Sequence, residues 1–116
     1  MTLTRDQIFA KRTEVHRESV DIPELGGSVM IRTLSLKEVR EIQKAQQASK
    51  EPLSIYPKVV ALGCVDEAGQ QLFVGEDIKE IDNLPWAATD AIAKAVLRLN
   101  KMTGEEDGGE NGVPKD

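Results

Sequence analysis

Apolar residues recur along this chain with two different periods, and the change of period divides it into elements. Between residues 19 and 32 the period is two. Val20 and Ile22 alternate with Ser19 and Asp21, and Val29 and Ile31 alternate with Ser28, Met30 and Arg32. Alternate side chains of a strand face the same way, so both runs read as half-buried strands. The intervening Pro23-Glu24-Leu25-Gly26-Gly27 supplies the turn, with two glycines able to take the positive φ of a tight hairpin. A lone hairpin is marginal in water, so this one must lay its apolar face on helices or pair with another strand.

Elsewhere the pattern is helical. Residues 4–13 predict a short helix capped by Thr4, with Ile8 and Phe9 as one apolar contact point. Ser35-Leu36-Lys37-Glu38 fits a capping box, and Leu36, Val39, Ile42 and Ala45 follow at helical spacing, with Lys37 and Glu41 on the outer face. Ser49-Lys50-Glu51-Pro52 ends that helix. Residues 54–65 are apolar nearly all round. Length favours a helix, the Val59-Val60 pair keeps a strand open, and we read a helix finishing as an extended stretch at Cys64-Val65. Asp66-Glu67-Ala68-Gly69 reads as a turn, and Gln71-Leu72-Phe73 as a short extended return that would enlarge the sheet. Gly75-Glu76-Asp77 opens a short helix to about Ile81. Pro85 suits the start of the last helix, on which Trp86, Ile92, Val96, Leu99 and Met102 form a stripe and which Gly104 stops. The predicted fold class is α+β: a β-hairpin, or a small antiparallel sheet, packed against three to four helices. Residues 1–104 form one compact domain, and residues 105–116 a disordered acidic tail.

Charge supports that division. The chain of 116 residues carries a formal net charge of −5, of which residues 105–116, with five acidic residues against one lysine, hold −4. The domain ahead of them is left at −1, without the basic footprint of a nucleic-acid binder. Aromatics are limited to Trp86, Tyr56, Phe9 and Phe73, so aliphatic residues must build the interior. A core so light gains from association with a partner or with copies of itself. No basic-then-apolar leader and no run of membrane-spanning length is evident, which points to a soluble protein of a reducing cytosol.

The residues available for chemistry are few. His16 is the only histidine and Cys64 the only cysteine. His16 lies on the approach to the first strand near Glu14 and Glu18, as a surface residue. Cys64 sits inside the apolar run Val59-Val60-Ala61-Leu62-Gly63-Cys64-Val65 and reads as a small buried hydrophobe. One histidine and one cysteine do not assemble a zinc site. The acidic turn at Asp66 lacks the alternating ligands and distal glutamate of a calcium loop. Gly26-Gly27 lacks the phosphate-cradling frame, and Lys37, Arg40 and Lys44 are interleaved with Glu38 and Glu41 as a solvated helix side. The expectation is a non-enzymatic binding protein with no cofactor and no metal.

The order of these features resembles a family. Met1-Thr2-Leu3-Thr4, then Val20-Asp21-Ile22-Pro23-Glu24-Leu25-Gly26-Gly27, then the return Val29-Met30-Ile31-Arg32-Thr33-Leu34-Ser35 and its charged helix look like the front half of the tail assembly chaperones of long-tailed bacteriophages and prophages. The back half agrees, from Val60-Ala61-Leu62-Gly63-Cys64-Val65-Asp66-Glu67-Ala68-Gly69 through Leu72-Phe73 and Glu76-Asp77-Ile78 to Leu97-Arg98-Leu99-Asn100. The likeness covers roughly residues 1–102. It implies a transient role in the host cytoplasm, binding the tape measure protein and keeping its apolar helical stretches soluble until the tail tube protein polymerises around it. It also implies a longer second product made by ribosomal frameshift near the end of the short frame, and no catalytic residues. The alternative is a small structural head–tail or tail component retained in the virion. The candidate interaction surface, for a client or for a homo-oligomer, is Val20, Ile22, Val29, Met30 and Ile31 of the hairpin with Trp86, Val96, Leu99 and Met102 of the last helix. Interior packing is at least as good a reading for most of them.

Overall fold

The computed structural model describes residues 2–13 and 15–102; the expected stop at Gly104 and the acidic tail at 105–116 lie outside the described residues. Eight elements follow in chain order: α1 (Arg5–Ala10), β1 (Arg17–Ile22), β2 (Gly27–Arg32), α2 (Leu36–Ala48), α3 (Tyr56–Gly63), β3 (Cys64–Val65), α4 (Asp77–Glu80) and α5 (Trp86–Leu99). Single turns of 3-10 helix extend α1 and α4, bridge β1 to β2 and lead into α3. The molecule is α+β.

β1 and β2 pair antiparallel with Val20 opposite Val29 and Ile22 opposite Gly27, the register that puts Val20, Ile22, Val29 and Ile31 on one face. That face lies on α5, and Ile22 and Ile31 are fully enclosed. In the turn, Gly26 takes φ +74 and donates its N–H to the Pro23 carbonyl. Gly27 needs no such freedom and opens β2 in ordinary extended conformation.

The third strand is Cys64–Val65, paired antiparallel with Met30 and Ile31 of β2. The return expected at Gln71-Leu72-Phe73 does not enlarge the sheet: Gln71 makes one bridge to Val65, and the Leu72 N–H reaches the Cys64 carbonyl. The cause is local. The Asp66 carboxylate accepts from the N–H groups of Ala68 and Gln70, tightening the turn, and the chain then leaves the sheet within two residues.

α3 and α5 form the centre of the helical layer. Gly63, the last residue of α3, lies so close to α5 that a Cβ there would stand 2.5 Å from a Val96 methyl. Ile42, Val59, Val60, Ile81, Ile92 and Val96 fill the space between sheet and helices. On α2 only Ile42 is buried, and Leu36 is largely exposed. Three-residue steps drift around a helix, so Leu36 lies about 120° from Ile42 and leaves the expected stripe.

Polar bonds close the seams. Arg32 joins three elements: its Nε donates to the Leu62 carbonyl at the end of α3 (3.0 Å), and its two Nη groups grip both Glu38 oxygens (2.7 and 3.2 Å). Glu38 completes the capping box of α2 by accepting from the Ser35 N–H while its own N–H donates to the Ser35 hydroxyl. Asn100 ties the end of α5 to the β2–α2 connection, accepting from the Leu34 N–H (2.6 Å) and donating to the Arg32 and Val96 carbonyls.

Candidate interaction surface

The nine surface candidates separate by burial. Ile22, Ile31 and Val96 are closed to solvent and are corrected to pure interior. Val20, Val29, Leu99 and Met102 pack at the margin of that core, half-buried. Met30 points to the opposite face of the sheet, half-buried between its partners Ser19 on β1 and Val65 on β3, as strand alternation requires. Trp86 is different: it is 56% exposed. It lies roughly 120° around α5 from Ile92, so the expected stripe loses it at its first position. The buried stripe consists of Ala88, Thr89, Ile92, Ala93 and Val96.

Trp86 belongs to a surface feature instead. Its ring stacks on Tyr56 of α3, centroids 5.6 Å apart and planes 9° from parallel. Stacked rings offer a broad apolar face with little entropy to lose on contact. Burial raises the Tyr56 phenol pKa, and the neighbouring Asp90 carboxylate, which accepts from the hydroxyl at 3.3 Å, raises it further. The phenol therefore stays neutral. With half-exposed Leu53, the two rings wall a shallow depression of about 220 Å³ floored by Ile81 and Leu84. We call this the aromatic lobe.

A second depression, of about 300 Å³, shares Ile81 and Leu84 with the first and is walled by Leu72, Phe73, Asp77 and Glu80. Val74 (57% exposed) and Ile78 stand in the same segment. Asp77 and Glu80 line it, Glu76 beside them is ion-paired with Lys79 (3.3 Å), and Asp82 lies on the other side, lining the first depression. This is the acidic lobe. Asp77 is the residue that builds it, since its carboxylate accepts from the Val74 N–H and folds Val74 back over the start of α4.

Neither lobe was found from the sequence beyond Trp86. Leu53, Leu72, Val74, Ile78 and Leu84 lie in segments too short and irregular to show a period. The signal that could have found them is density: five large apolar residues among turn formers, of which only Ile78 belongs to a helix, the four-residue α4.

Among the described residues no cluster of His, Cys, Asp and Glu could hold a metal ion. Burial pushes the Cys64 thiol up to about 12, so it is protonated and shielded. His16 is exposed, with Nε2 3.2 Å from a Glu18 oxygen. No helix among the described residues is long and apolar enough to cross a membrane.

No family model matches the chain, and no curated protein matches it in sequence. The fold, however, is one adopted by a phage tail assembly chaperone. The solved structure in question is the tail assembly chaperone of bacteriophage HK97, which superposes with a TM-score of 0.63 at 16% identity, over 89% of this chain and 95% of that one. At such identity the likeness is one of fold, and it extends over nearly the whole of both chains.

Proposed function

We propose that this chain is a phage tail assembly chaperone, a non-catalytic protein that binds the tape measure protein in the host cytoplasm and hands it to the tail tube protein. The observation that carries the reading is the near end-to-end likeness to the HK97 chaperone, which agrees with the family resemblance of residues 1–102. The client surface is the aromatic lobe, because an apolar helix needs a broad face of low side-chain entropy, and the stacked Tyr56–Trp86 pair beside Leu53 is one. Val20, Val29, Leu99 and Met102, at the core margin, and Met30, on the far face of the sheet, stand apart from that surface. Self-association, in this reading, arrays copies along a long client.

The role is transient, so the protein should be missing from finished particles. Mass spectrometry of mature virions, together with phage carrying a null allele, tests this. The expected result is absence from virions and loss of tails in the null. Stoichiometric presence in virions would favour the retained structural component instead. A frameshifted longer product, detectable as a second band sharing the N-terminal peptides, belongs to the same reading. So does a truncation after Gly104 that leaves client capture intact.

A further inference from the structure

The last helix is ended by its own backbone at a fixed place. The Lys101 and Met102 N–H groups donate to the Arg98 and Leu97 carbonyls (3.0 and 2.8 Å), and Lys101 takes φ +57, the left-handed conformation that a glycine usually supplies in such a helix end. Asn100 fastens that end to the β2–α2 connection through the Leu34 N–H and the Arg32 carbonyl, and Met102 packs against the core. The chain beyond Met102 therefore starts beside that connection.

The same connection forms one wall of a depression of about 510 Å³ between the 3-10 turn after α1 and the start of α2. Its charged lining is Lys11, Arg12, Arg32 and Lys37 against Glu38 and Glu41. Both carboxylates are engaged, Glu38 by Arg32 and Glu41 by Lys58 (3.4 Å). Positive charge is left over: Arg12 lies against the Phe9 ring, 5.8 Å from its centroid, and Lys37 makes no ion pair among the described residues. The walls are tied together by Thr33, whose hydroxyl accepts from the His16 N–H (3.2 Å) and whose N–H donates to the His16 carbonyl (2.9 Å).

We propose that the run Glu105-Glu106-Asp107 folds back from the end of α5 onto this depression of its own chain, its carboxylates meeting Arg12 and Lys37. The run lies three to five residues past Met102, which gives it roughly 10–17 Å of extended chain with which to cross the rim. Tethering holds it at an effective concentration on the order of millimolar, so even exposed ion pairs of modest strength keep the depression occupied. The contact stands apart from the chaperone reading. The depression shares no lining residue with the aromatic lobe, so removing the run opens the depression and leaves the client surface as it is.

Paramagnetic relaxation on the full chain tests it. A thiol-linked nitroxide at Gly108→Cys reports where the run sits, since Cys64 is buried and leaves the new thiol as the reactive one. At low salt the amide signals of Arg12 and of residues 34–37 should broaden selectively, and the effect should fade as salt screens the pairs. Arg12→Glu with Lys37→Glu, both at exposed positions, should remove the broadening without moving the thermal melt. Adding Glu105→Lys, Glu106→Lys and Asp107→Lys to that variant should restore it, because the signs are then exchanged. Isotope-labelled chain without the nitroxide, mixed with unlabelled chain that carries it, should show no such broadening, since the contact lies within one chain. Equal broadening with and without the Arg12 and Lys37 reversals, or broadening as strong in the mixture, would overturn the proposal.

Discussion

Gly63 shows how narrowly single residues are set in this molecule. A Cβ at that position meets the stiff, β-branched Val96 at 2.5 Å within a helix, where the valine has no alternative rotamer to retreat to. We expect Gly63→Ala to cost about 1–3 kcal/mol. Val96→Ala should relieve part of that penalty, so chemical denaturation of the two single variants and the double variant should show clear non-additivity. Glu38 is set by charge. Burial pushes its carboxyl pKa up, but the Arg32 hydrogen bonds, the Ser35 N–H and the Arg32 charge together hold it below the ordinary value. Its stabilising contribution is thus complete above the ordinary glutamate range and is lost as pH falls through the lowered value. Glu38→Gln should cost roughly 1–3 kcal/mol at neutral pH. It should also flatten the acid limb of the stability curve, as urea melts across the acidic range would show. Cys64 gives a third reading of the interior: its thiol should resist alkylation in the native protein and react in step with unfolding as denaturant rises.

At the scale of elements, what could be read from the sequence was whatever had a period or a boundary signal. The hairpin, the cap at Thr4, the capping box at Ser35 and the helix-to-strand change at Cys64 were legible because each is written in neighbouring residues; that Gln7 completes a box with Thr4 was added by the structure. Two errors share one cause. Leu36 and Trp86 were assigned to stripes by steps that drift around the helix, and both emerge on the outside. The joints between elements were not legible at all. Arg32 reaching Leu62, and Asn100 reaching Leu34, link residues far apart in sequence, and nothing local marks them. Asn100 is the clearer test of such a joint, since its loss leaves the Leu34 N–H without its acceptor. Asn100→Ala should destabilise by about 1–3 kcal/mol. Amide exchange should show the extra opening concentrated at the end of α5 and the β2–α2 connection.

For the molecule as a whole, a light aliphatic core has been completed by sharing, and the surfaces left over divide by character. The interior takes Ile22, Ile31 and Val96 from the expected interaction surface. The apolar residues of short irregular segments, which no period could assign, form two adjoining lobes over Ile81 and Leu84. The lobes were illegible because their walls come from separate segments, Tyr56 from α3, Trp86 from α5, Ile78 from α4 and Leu53, Leu72 and Val74 from the connections, which meet only in the fold. The client role proposed for the aromatic lobe requires that client capture be separable from folding by substitution. The direct measurement is the soluble fraction of tape measure protein co-expressed with this chain. The native chain should raise it above the level without chaperone. Trp86→Ala with Leu53→Ser should abolish the gain while the variant itself stays folded and self-associates normally. If those substitutions leave the client fully soluble, or if the native chain gives no gain, the account of this protein as a chaperone acting through the aromatic lobe is contradicted.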